Sequence, residues 1–235
     1  MSRVNVLRIA LCVAVGSTIG QTVRAELITP KTVTSLTAPD YWLASNLIDN
    51  SGLSVANSLD ATHAETTPTN AWVTNQSGGQ NSSDYYAAGQ PPVLTFGLGG
   101  LYNIDSIAIW NYSPRLDAPA TAKNCTKFIT LAFGVDGVFG NDVPLPTPLI
   151  KGYAGEKAQV LSFGRAYLAN TVRMTITDNW YDGIGTAGGG DRVGLSEVKF
   201  LAPEPSSLLL TGSGLLGLVC LIFARLHAYN SSGRN

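Results

Sequence analysis

What most constrains this chain is a two-residue hydrophobic rhythm along its middle, with no helical rhythm beside it. Leu94, Phe96 and Leu98 alternate with Thr95 and Gly97, and Val172, Met174 and Ile176 alternate with Arg173, Thr175 and Thr177. Side chains at i and i+2 share one face of a strand, so each run reads as a strand with one face buried. Residues 104–112 form a β-branched and aromatic run, and 128–133 form another that ends at the turn signal Asp136-Gly137. A last run, 193–201, closes the region. Short strands parted by Gly, Pro and Asn predict an all-β sandwich or jelly roll. The stretches 54–92 and 136–160 read as long loops, where function is often carried. No heptads, low-complexity tracts or internal repeats are present.

The two ends follow other rules. Arg3 and Arg8 precede an apolar stretch from Ile9 to Ile19, and Val23-Arg24-Ala25 offers small or aliphatic residues for cleavage. This is the three-part plan of a secretory signal, so residues 1–25 are expected to be removed on export. At the other end, Pro203-Glu204-Pro205 leads into an uncharged run over 208–224, followed by Arg225 and His227. Seventeen residues at about 1.5 Å each reach ~26 Å, enough for a short membrane-spanning helix. Positive charge beyond it places the main domain outside the cytoplasm.

The segment 203–235 resembles the PEP-CTERM sorting signal of Gram-negative bacteria, through Pro203, Glu204 and Pro205, the Ser-Ser-Leu-Leu-Leu start and the Gly-Ser-Gly-Leu-Leu-Gly core. That resemblance implies recognition by an exosortase, temporary anchoring in the inner membrane, and delivery to the cell surface or an extracellular polysaccharide matrix.

Between the ends lie residues 26–202, a length that suits one domain. They carry ten basic and fifteen acidic residues, a net charge of −5. This balance argues against nucleic-acid binding. Of the three cysteines, Cys12 falls in the leader and Cys220 in the tail, so Cys125 is alone and forms no disulfide within the domain. A lone Cys with no His nearby in sequence reads as a small buried apolar residue rather than a nucleophile.

The ordered motifs of this domain resemble the discoidin-like domains, also called coagulation-factor type C or galactose-binding-like modules. Ala44-Ser45-Asn46-Leu47-Ile48-Asp49-Asn50-Ser51-Gly52-Leu53 looks like the family's opening, with Asn50 where a Gly is usual. Ala71-Trp72-Val73, the strand 93–99, the run from Tyr102 through Trp110-Asn111-Tyr112, and Val193-Gly194-Leu195-Ser196-Glu197-Val198 follow in the family's order. The resemblance implies a jelly-roll β-sandwich that binds carbohydrate through loops at one end. It also implies a structural Ca²⁺ held by Asp49 and Glu197, with Ser54 as an extra ligand; the plainer alternative is a turn Asp that caps backbone amides and a solvated Glu. Calcium takes six to eight oxygens, so backbone carbonyls of the 50–54 loop would complete the set.

Sugars offer C–H faces to aromatic rings and hydroxyls to polar side chains. Trp180 and Tyr181, just past a strand and between Asp178 and Asp182, are the leading glycan-binding candidates, with Tyr85-Tyr86 a second cluster. Arg115 lies where the family places a polar binding loop, and His63 is a further candidate contact. For each of these the plainer alternative is packing of the loop on the sandwich, and Trp72 and Trp110 read as core.

Enzyme signatures are missing: there is no His-Glu-x-x-His, no Gly-x-Ser-x-Gly and no phosphate-loop Lys. Gly183 to Gly188 matches Gly-x-Gly-x-x-Gly in letters, but a strand rather than a helix is expected after it. The sequence therefore predicts a non-catalytic, exported carbohydrate-binding module. Its rivals are a structural matrix protein without a glycan site and an accessory domain of a hydrolase.

Overall fold

The computed structural model describes residues 25–36, 42–74, 86, 91–182 and 192–203. The leader, residues 204–235 with the sorting motif and apolar run, Tyr85, and the Gly183 to Gly188 stretch lie outside the described residues. Among the described residues no helix is long and apolar enough to cross a membrane.

The described residues form nine strands: β1 Glu26–Ile28, β2 Thr32–Ser35, β3 Trp72–Val73, β4 Val93–Asn111, β5 Thr126–Val135, β6 Val138–Phe139, β7 Val143–Pro144, β8 Gln159–Asn179 and β9 Gly194–Ala202. Two runs read as separate strands, 94–98 and 104–112, are one long strand, β4, with a register shift between Gly97 and Tyr102. Gly99, at φ +79, sits within that shift, where a left-handed backbone suits glycine. The first half of β4 pairs with β2 and with the end of β8, which continues to β5. Its second half pairs with the start of β8 and with β9, whose other edge takes β1 and β3. Because β4 and β8 each run through both halves, the nine strands are hydrogen-bonded into one continuous sheet that doubles over on itself.

The halves meet through apolar side chains. Leu94, Phe96 and Leu98 are buried, as are Val172, Met174 and Ile176, which meets the alternation seen in the sequence. Phe96 of one half touches Phe200 of the other, edge to face at 5.7 Å. Trp72 is also in this core and fully buried. Asp136 at φ 52 and Gly137 at φ 82 make the two-residue hairpin turn between β5 and β6.

Both expected long loops hold short strands, β3 in the first and β6 and β7 in the second. Residues of the first also pack on Leu201 of β9, and all nine residues of β9 are buried. Trp110 and Leu201 sit under it with Ala61, and the Trp110 indole N–H donates to the Ala61 carbonyl at 2.9 Å. A charged side chain on that outer face is therefore buried too, which matters for the site below.

Candidate functional site

Asn111, the last residue of β4, organises one end of the sandwich. Its amide N–H groups donate to the carbonyls of Thr126 and Ile150, both at 2.7 Å, and its oxygen accepts the Thr126 N–H at 3.0 Å. Thr126 in turn pairs with Asn179 at the end of β8. The loops after β4 and β8 thus leave from the same end, and the first carries Arg115 while the second carries Trp180 and Tyr181.

Trp180 is half-buried and firmly held. Its backbone N–H donates to the Cys125 carbonyl at 3.0 Å, its indole N–H donates to the Leu149 carbonyl at 2.8 Å, and it packs on Val73, Tyr112, Ala122 and Cys125. The ammonium groups of Lys127 and Lys151 lie 5.3 and 5.2 Å from its ring centre, and Lys123 lies 5.6 Å from the Tyr181 ring. Lys127 pairs with Asp178 and Lys123 with Asp182, each at 3.0 Å. The result is an aromatic pair edged with lysines and carboxylates, able to offer ring, cation and acceptor to a polar ligand. Arg115 is exposed and pairs with Asp117 at 2.6 Å.

The other candidate residues behave differently. Tyr86 packs on the main core, and its hydroxyl donates to the Ile176 carbonyl at 3.3 Å. Cys125 is buried, its thiol donates to the Tyr112 carbonyl at 3.1 Å, and burial pushes its pKa up to about 12. A thiol so placed stays protonated and is no nucleophile at neutral pH.

His63 is buried at 1% exposure and lies beneath Gly52. Its Nδ1–H donates to the Ala64 carbonyl at 2.7 Å, while Nε2 is buried without a hydrogen-bond partner among the described residues. Burial holds its pKa below the usual 6.5, although nearby carbonyls and Asp49 pull the other way. The unfolded chain therefore takes up the proton first as pH falls, so His63 supports the fold above about 6.5 and that support is lost on acidification. The stability advantage of the wild type over His63→Gln should accordingly shrink between neutral pH and about pH 5 in urea unfolding. An advantage that stays constant would refute a neutral, buried His63.

Asp49, Ser54 and Glu197, expected as calcium ligands, are held as follows. Asp49 and Ser54 are exposed and Glu197 is fully buried, near enough for the Asp49 charge to bear on it. Asp49 Oδ1 accepts the Ser51 N–H at 2.8 Å, and Ser54 Oγ accepts the Thr62 N–H at 3.0 Å. Glu197 Oε1 accepts from the ammonium of Lys199 at 3.0 Å, and both side chains are fully buried. Burial pushes the Glu197 carboxyl up to about 7, with Lys199 opposing that shift.

Glu197 Oε2 and the Ser51 hydroxyl are buried without partners among the described residues. Among the described residues no group of three or more His, Cys, Asp or Glu side chains could hold a metal. A divalent ion on Glu197 would also face a fixed ammonium on the same carboxylate, in a buried site where charges are weakly screened.

Sequence reasoning missed Lys199. The alternation did put Glu197 and Lys199 on one face of the last strand, but that face reads as solvated unless the covering loop is known.

No protein-family profile matches this chain, and no curated protein does. Among solved structures it is similar to family 32 carbohydrate-binding modules. One, from the NanJ protein of Clostridium perfringens and solved with galactose, is 14% identical over 75% of this chain and 99% of that chain, at a TM-score of 0.45. A second module from Clostridium perfringens, solved with GalNAc-β-1,3-galactose, is 20% identical over 73% and 94%, at 0.44. A third, from Streptococcus pneumoniae EndoD, is 10% identical over 74% and 98%, at 0.44.

Proposed function

We propose that this chain is an exported, non-catalytic carbohydrate-binding module, carried to the cell surface or an exopolysaccharide matrix by its leader and its PEP-CTERM-like tail. The observation that carries the reading is the Trp180–Tyr181 pair. It is half-buried, pinned to the sandwich at the indole N–H, and edged by Lys123, Lys127 and Lys151 at the loop end. A ring fixed in advance loses little freedom on binding, so its contact with a sugar face is retained as affinity. The surrounding ammonium and carboxylate groups supply hydrogen bonds to hydroxyls. In this reading Arg115 extends the surface, His63 takes no part, and the tail is a processing address for an exosortase.

A glycan and polysaccharide array probed with the full chain in detergent tests the reading, provided it includes exopolysaccharide from the host. Tyr181→Ala should weaken the binding found there about tenfold and leave the melting temperature in place. Trp180→Ala should cost both binding and stability, because its indole also closes the Tyr112–Cys125 cluster. Unchanged binding in both variants would remove this platform. A blank array with folded protein would favour a structural matrix protein held by its tail and by protein contacts.

A further inference from the structure

We infer that the ammonium of Lys199 is the built-in cation of the pocket beneath β9, so that the sandwich is closed there without calcium or any other metal ion. The ammonium has three hydrogens and three oxygen acceptors: Asn50 Oδ1 at 2.7 Å, Thr29 Oγ1 at 3.0 Å and Glu197 Oε1 at 3.0 Å. Those oxygens come from three distant stretches: the residue after β1, the loop after the 3₁₀ turn Ala44–Leu47, and the last strand. One buried charge therefore ties the start of the domain to its end, which is the mechanical task of a structural ion.

The polarity of the surrounding network is consistent with this role. Thr29 accepts from Lys199 and donates its own hydroxyl hydrogen to Asn57 Oδ1 at 2.9 Å. The Asn57 N–H donates to Asn50 Oδ1 at 3.3 Å, so Asn50 accepts twice. Asn50 stands at φ 64, in the left-handed region that favours glycine. Glycine would satisfy the backbone there but would present no oxygen to Lys199. Asn tolerates that conformation and supplies the acceptor, so Asn50 and Lys199 work as a pair.

Thermal unfolding of the full chain in detergent, in millimolar calcium and separately in chelator, tests this. The wild-type Tm should agree between the two conditions to within about 1 °C. Lys199→Met leaves Thr29, Asn50 and Glu197 without their shared buried donor and should lower Tm by roughly 6–20 °C in both. If that variant does not fold, Asn50→Gly serves instead, because it keeps the backbone and removes only the oxygen. It should lower Tm by roughly 3–12 °C with or without calcium. A wild-type Tm that falls by several degrees in chelator and returns with calcium overturns the inference. So does an Asn50→Gly chain that melts with the wild type.

Discussion

Trp110→Ala should destabilise the folded chain by about 3–5 kcal/mol in urea unfolding. Its side chain is 1% exposed and fills the space between the outer face of the sheet and the covering loop, against Ala61, Ala108 and Leu201. Ala61 and Ala108 are too short to reach into the hole. The Ala61 carbonyl would also lose its indole partner at 2.9 Å. Trp110→Phe separates the two losses, because it keeps most of the volume and removes the N–H. Its cost should be about 1–3 kcal/mol. Trp110 stands opposite Glu197 across β4 and β9, so Trp110→Ala should admit water to the Glu197–Lys199 pair and speed hydrogen exchange along β9. An alanine variant within about 1 kcal/mol of wild type would mean that the loop is not held by this residue.

Gly52→Ala should cost roughly 2–5 kcal/mol, from two separate causes. The backbone there lies at φ +82, where a Cβ crowds the following carbonyl. The added carbon would also stand 2.6 Å from His63 Cε1 and Nε2 and 3.0 Å from Asn70 Nδ2. His63 has little room to yield, since it is buried and its other nitrogen is tied to the Ala64 carbonyl. Gly155 provides the control. It sits at φ +91 with nothing among the described residues within 4 Å of the added carbon, so Gly155→Ala should show the backbone cost alone, about 1–2 kcal/mol. Equal effects at the two glycines, measured by urea unfolding, would show that the His63 ring moves aside freely.

Much of the architecture was legible because strand alternation is a local property. Leu94, Phe96 and Leu98 had to face one way, and so did Val172, Met174 and Ile176, whatever they packed against. The Asp136-Gly137 turn was legible for the same reason: two adjacent residues at positive φ make a hairpin turn by themselves. Trp72 and Trp110 fall on core positions of the pattern and are buried. The fusion of 94–98 with 104–112 into one bent strand was not legible, since a glycine-rich bulge and a loop look alike in sequence.

The candidate sites divide along the same line. By itself the sequence determined which residue types were present and which way each strand residue pointed: Trp180 and Tyr181 just beyond a strand, and Glu197 and Lys199 on one face. Only the tertiary structure decided what covered those faces. It put the 53–63 segment over β9 and buried an ion pair that sequence alone would leave in water, and it put His63 under Gly52 instead of at the surface. It also brought Thr29 and Asn50 to a lysine 170 and 149 residues away. The physical reason is that alternation and turn chemistry act over a few residues, whereas burial, the local dielectric and the partners of a charge depend on chain that is remote in sequence and adjacent only after folding.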